Sequence, residues 1–140
     1  MSLKEKLIAL SHSEQIVIDL NNTIQMMKMD LFIRDRFTGI ITKTNDVLVW
    51  SKWFEDPLNR QVLVTNLTYQ WWIYPITIST IFLGIPHSFN NKKKPLLWEN
   101  AIINQSDGNV NITGRYDSEA AALAAHRDIQ NRYHISGITR

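Results

Sequence analysis

"PITISTIFLG", Pro75 to Gly84, decides the fold. Isoleucine, threonine and phenylalanine favour a pleated, half-buried backbone. On a strand, Ile76, Ile78, Thr80 and Phe82 share one face, while Thr77, Ser79, Ile81 and Leu83 share the other. The first face is apolar and the second mixed, the pattern of a sheet covered on one side. Pro75 has no N–H to give to a ladder, so the strand begins after it. Gly84 and Pro86 end it.

The neighbouring segments extend this into an antiparallel sheet. Upstream, "RQVLVTNLT" (Arg60 to Thr68) is β-branched and partly alternating. Downstream, "NNKKKP" reads as a loop and "LLWENAIIN" (Leu96 to Asn104) as the next strand. "QSDGN" follows, with Asp107-Gly108 as a hairpin signal. Nearer the N-terminus, Leu31 to Ile33 and "TGIITKT" read as an edge hairpin turning at Gly39.

Two segments have helical spacing. In "DVLVWSKWFE", Val47, Trp50, Trp53 and Phe54 fall on one face. Asn45 is the expected N-cap, with Asp46 in the first turn and Pro57 as the stop. In "YDSEAAALAAHRDIQNRY", Asp117 or Ser118 caps an alanine-rich helix whose thin sides permit close packing. Residues 1–29 read as an N-terminal helical extension. Ser2 with Glu5, and Ser11 with Glu14, have capping-box spacing. Its stripe of Ile16, Leu20, Ile24 and Met27 either packs on the domain or pairs with a second copy.

The expected architecture is therefore α+β. A single domain over residues 30–140 carries an antiparallel sheet of about four to five strands, with two core helices on one face. The composition agrees: among 140 residues, 44% are hydrophobic and 20% charged, as in an ordinary globular domain. Lysine and arginine exceed aspartate and glutamate only by 15 to 13, too little to predict a nucleic-acid partner. With no cysteine, disulfides and thiolate metal sites are excluded. No apolar run reaches the roughly 18 residues of a membrane span. The stretch from Leu7 to Leu10 is too short for the centre of a signal peptide, so a cytoplasmic protein is expected.

Four segments also carry a resemblance. "VLVWSKWFE" resembles a "WARWFE" box and "ITISTIFLGIPHSF" a "VSTVFLGLDHSF" box. "PLLWENAII" resembles "PLLFETMVF", and "RYDSEAAALAAH" resembles "RYSTWEEAEAGH". These boxes occur in this order in a family of small, uncharacterised proteins of tailed bacteriophages and prophages, and the likeness runs from Leu31 to about Arg132. Two departures stand out: Pro86 replaces an acidic residue, and "ETMVF" becomes "ENAII", which keeps only Glu99. The resemblance implies a phage or prophage origin and expression in the host cytoplasm. It brings no activity with it.

Candidate site residues come from these boxes: His87, Trp98, Glu99, Arg115, Tyr116 and His126. Arg115 and Tyr116 precede a helix N-terminus, where an arginine helps to hold an anion. With Trp98 to stack on a base, they would suit a nucleotide-like ligand. The structural alternative is an Arg115–Glu99 ion pair. His87, Glu99 and His126 could serve a small metal-dependent or acid–base hydrolase, although no ligand spacing fixes them on one face. The plainer reading makes His87 a strand-end residue bonded to backbone and sets His126 against an aromatic ring.

The expected function is thus that of a non-enzymatic accessory protein without cofactor or bound metal. It would bind a nucleotide-like molecule or a host protein, with interference in host defence as one consequence. A hydrolase and a virion or assembly component are the alternatives. Self-association through the N-terminal helices is a further expectation.

Overall fold

The structure is a computed structural model, and it describes residues 30–67, 75–86 and 88–135. The N-terminal extension, the Trp71-Trp72 pair and His87 lie outside the described residues. The chain order is β1 (Leu31–Arg34), β2 (Ile41–Thr44), α1 (Val47–Glu55), α2 (Pro57–Arg60), β3 (Gln61–Leu67), β4 (Ile76–Phe82), β5 (Trp98–Asn104), β6 (Val110–Tyr116) and α3 (Glu119–Ile135). The fold is α+β. Strands β3 to β6 form a four-stranded sheet in sequence order, every pair antiparallel. The hairpin β1–β2 is a separate two-stranded sheet rather than an edge of the main one.

Strand β4 begins at Ile76, directly after the proline, and ends at Phe82. Gly84 follows with φ +77°, a left-handed conformation that costs glycine little. A Cβ there would lie 2.8 Å from the Trp53 ring and 3.0 Å from Trp50 Nε1. The position therefore needs glycine both for its backbone and for its space. The close approach lets β1 run past the end of β4, where Phe32 N–H donates to Gly84 C=O at 2.8 Å.

Helix α3 lies along the four-stranded sheet. Ile78 and Ile76 pack with Ile129, and Phe82 and Trp98 pack with Ala122. The apolar face of β4 is therefore the helix-covered face, and burying a side chain such as Phe82 contributes on the order of 2–3 kcal/mol. Helix α1 packs chiefly against the hairpin. Its Trp50 and Phe54 pack with Leu31 of the hairpin, and it meets the sheet through Trp53, edge-on to Phe82 at 5.9 Å. Trp53 Nε1 also donates to Arg34 C=O at 2.8 Å.

Local signals explain the helix ends. Asp46, not Asn45, is the N-cap of α1, its carboxylate accepting from the N–H groups of Leu48 and Val49. The two residues are adjacent acceptors, and Asp46 adds a full negative charge at the positive end of the helix. Asp56 then caps α2, with Pro57 in its first turn. Ser118 caps α3, its Oγ accepting from Ala121 N–H at 3.1 Å.

Candidate functional site

Strand alternation separates the predicted site residues. On β5, Asn100 points toward α3 and Glu99 points away from it. Asn100 donates through Nδ2 to Ala122 C=O on α3 at 3.1 Å. Glu99 instead accepts from Arg115 Nε at 3.0 Å, across the β5–β6 ladder where the two residues are register partners. Glu99 is fully buried and Arg115 mostly so. The pairing is the structural alternative read from the sequence.

His126 belongs to the opposite face. It is fully buried, and both ring nitrogens have partners. Nδ1 lies 2.7 Å from Thr80 Oγ1, and Nε2 lies 2.9 Å from Thr65 Oγ1. Directionality fixes the tautomer. Asn100 Nδ2 is spent on the helix carbonyl, so its Oδ1 accepts from the Thr80 hydroxyl at 2.7 Å. Thr80 has then used its only proton and must accept from His126 Nδ1–H. Nε2 is left as an acceptor for the Thr65 hydroxyl. The imidazole is neutral, and burial holds its pKa below the usual histidine value, with the neighbouring Arg127 pushing the same way.

This network joins β3, β4, β5 and α3 through side chains whose hydrogen bonds are matched to one another. Such a buried polar cluster specifies how the helix sits on the sheet. The aromatic partner expected for His126 is thus replaced by two threonine hydroxyls. Nothing in this arrangement leaves the ring free to exchange protons with a substrate.

The remaining candidates within the described residues are also placed. Trp98 packs edge-on against Phe82 at 5.1 Å and is buried. Tyr116 lies over Gly114, whose missing side chain makes room for the ring. Both belong to the core cluster around Phe82 and Ala122. The N-terminal turn of α3 carries its own anion, because Glu119 takes Arg34 through Nε at 2.7 Å and Nη2 at 3.2 Å. Asp117 accepts from Asn90 Nδ2 at 2.9 Å. Among the described residues, no three histidine or acidic side chains gather to hold a metal ion. Nor is any described helix long and apolar enough to cross a membrane.

Comparison with family models, with curated proteins and with solved structures gives no match. The candidate site therefore rests on its own geometry.

That geometry picks out a surface that sequence reading missed. Phe37 is 84% exposed, Ile40 65% and Leu58 56%, with Leu63 of β3 at 37%. Phe37 forms a ridge between two open grooves. One, of about 450 Å³, is lined by Phe37, Leu58, Leu63 and Arg36. The other, of about 500 Å³, includes Phe37, Ile40, Trp53 and Asn59.

The turn that presents Phe37 is firmly held. Asp35 Oδ1 accepts from Phe37 N–H at 2.8 Å and from Thr38 N–H at 3.0 Å. Gly39 supplies φ +76° and donates to Asp35 C=O at 2.7 Å. Backbone donation by Thr38, then by Phe37, pulls the Asp35 carboxyl below its usual pKa. The signal was present in "DRFTGI": an Asx turn and a glycine carrying a phenylalanine at their tip.

Proposed function

We propose that this chain is a non-enzymatic accessory protein that acts by docking a partner protein on the Phe37 face. The observation that carries the reading is the group Phe37, Leu58 and Leu63, large apolar side chains held at the surface around one groove. A large exposed apolar patch with a polar rim is characteristic of an interaction site. Its pre-formed turn means that little ordering entropy is lost when a partner docks.

The nucleotide-like ligand is the weaker branch. Arg115 is engaged by Glu99, Trp98 is core, and the start of α3 already holds a carboxylate. Hydrolysis by His87, Glu99 and His126 is disfavoured because Glu99 points away from α3, while His126 reaches from α3 onto the other face of the sheet. The four boxes resembling phage and prophage proteins support a host protein as the partner, met in the host cytoplasm, with interference in host defence as the outcome.

The test is affinity capture from host lysate with the wild-type chain and with a Phe37→Ser, Leu58→Ser variant of unchanged melting temperature. A partner bound directly by the wild type and lost from the variant supports the reading. Identical capture by both overturns it. Recovery of the chain in purified virus particles, held there through the same residues, would favour an assembly role instead.

A further inference from the structure

We propose that the Phe37 face takes an extended segment of its partner, added as a further strand along the outer edge of β3; this rests on the docking reading above. Strand β3 is terminal in the order β3-β4-β5-β6, and among the described residues no strand pairs with its outer edge. An open edge presents backbone N–H and C=O groups spaced for another strand. Proteins usually blunt such edges with lysine, proline, other charges or bulges. The sequence of β3, QVLVTNL, has no charge and no proline. Its irregularity falls between Gln61 and Leu63, while from Leu63 to Leu67 the register runs unbroken against Thr80 to Ile76. The five residues from Leu63 to Leu67 are therefore a regular template. Thr65, at their centre, is anchored through His126.

The other edge strand differs. β6 carries none of the large exposed apolar side chains, and it is irregular near Gly114. Beside β3, by contrast, Leu63 opens onto the groove formed with Phe37 and Leu58. Alternate side chains of an added strand would fall over that groove, so they should be apolar. The charged residue lining the groove is Arg36. Its exposed pair with Asp56, at 3.2 Å, is of a kind worth little in water. A carboxylate on the incoming segment can therefore take Arg36 over at small cost. The occupant is accordingly an extended segment with alternate apolar residues and an acidic residue near Arg36.

The experiment is selection of short linear peptides from a random display library against the full chain, followed by synthesis of the enriched peptides. Expected binders combine alternating apolar residues with aspartate or glutamate. On binding they slow hydrogen exchange within Leu63–Leu67. Methylating alternate backbone amides of the peptide should weaken binding about tenfold or more, as expected for lost main-chain hydrogen bonds. Arg36→Ala should weaken the acidic peptides more than their amide analogues.

Binders that lose affinity in the Phe37→Ser, Leu58→Ser variant but ignore backbone methylation overturn strand addition and leave the docking reading standing. Binders indifferent to both changes count against both. Concentration-dependent dimerisation of the chain that protects Leu63–Leu67 would make a second copy the occupant and overturn the peptide assignment. A library that yields no enriched binder also overturns it.

Discussion

His126 Nδ1 donates to the Thr80 hydroxyl at 2.7 Å, and that hydroxyl in turn donates to Asn100 Oδ1. The direction of each bond follows from the one before, beginning at the carbonyl of Ala122. Removing Thr80 Oγ1 should therefore strand two buried partners at once. Thr80→Val keeps the shape and leaves His126 Nδ1–H and Asn100 Oδ1 without their hydroxyl. Unpaired buried polar groups cost about 1–3 kcal/mol each, so a loss of about 2–4 kcal/mol in urea unfolding is expected. Combined with Asn100→Leu, the loss should be less than the sum, because one network is removed twice. Strict additivity would show that the bonds are not coupled.

Stability should fall on mild acidification, and His126 sets the direction. Burial and Arg127 place its folded pKa below the ordinary 6.5, so the unfolded chain takes up the proton first. The stabilising difference is complete above the unfolded value and is lost as pH falls from there through the lower folded value. On its own helix Glu119 is taken by Arg34 and Asp128 is exposed, and the strands packed against the ring bring no carboxylate to it. Strands β3 and β4 hold no charged residue, and on β5 Glu99 faces away. Melting temperature should therefore decline as pH falls through and below about 6.5. His126→Gln should be less stable than wild type at neutral pH and show a flatter decline over the same interval. An equal slope in both proteins would assign the effect to other groups.

The Glu99–Arg115 pair is predicted to be structural. Arg115→Met leaves a fully buried carboxylate without this cation, and breaking such a pair from one side costs about 3–5 kcal/mol. The Arg115 side chain is partly exposed, which favours the lower end of that range. Glu99→Gln together with Arg115→Met should recover part of the loss, since no uncompensated charge then remains at this pair. Denaturant midpoints measure all three proteins. A double variant no better than Arg115→Met would point to a role for the carboxylate beyond the pair.

How much of this was readable in the chain depended on whether the cause was local. Pro75 dated the start of β4, Asp107-Gly108 placed the β5–β6 turn, and Ser118 was one of two caps expected for α3. Those signals act within a few residues. The separation of Glu99 from His126 needed the register of β5, which only pairing with β4 and β6 fixes. Asn100 drew no attention because an asparagine in "WENAII" has no local signature of burial; its partners come from β4 and α3. The independence of the β1–β2 hairpin likewise depends on distant contacts, Phe32 with Gly84 and Arg34 with Glu119. The turn at Phe37 is legible in the sequence, but its role is not, because one exposed aromatic is ordinary. Phe37 stands out only once Leu58 and Leu63 arrive beside it from other elements.

Gly84 should resist substitution more than its position at a strand end suggests. Gly84→Ala forces a side chain into φ +77° and brings its Cβ to 2.8 Å from Trp53. The backbone change and the overpacking together should cost about 2–4 kcal/mol. The strain falls where β1, α1 and β4 meet, so near-ultraviolet circular dichroism of the Trp50–Trp53 region should change with stability. Retention of both would mean that the tryptophans move aside freely.

Phe37 should behave in the opposite way. It is 84% exposed and sits at the tip of a turn held by Asp35 through backbone donors. Phe37→Ser removes the ring and leaves those donors in place, so stability should stay within about 0.5 kcal/mol of wild type. Asp35→Ala keeps the ring and removes the acceptor that orders the turn. If the ring is recognised in a pre-formed turn, both variants should weaken partner binding, and Asp35→Ala should do so chiefly by slowing association. Calorimetry against a captured partner, with surface plasmon resonance for the rates, separates the two effects. Normal binding by Phe37→Ser would remove this ridge from the interface.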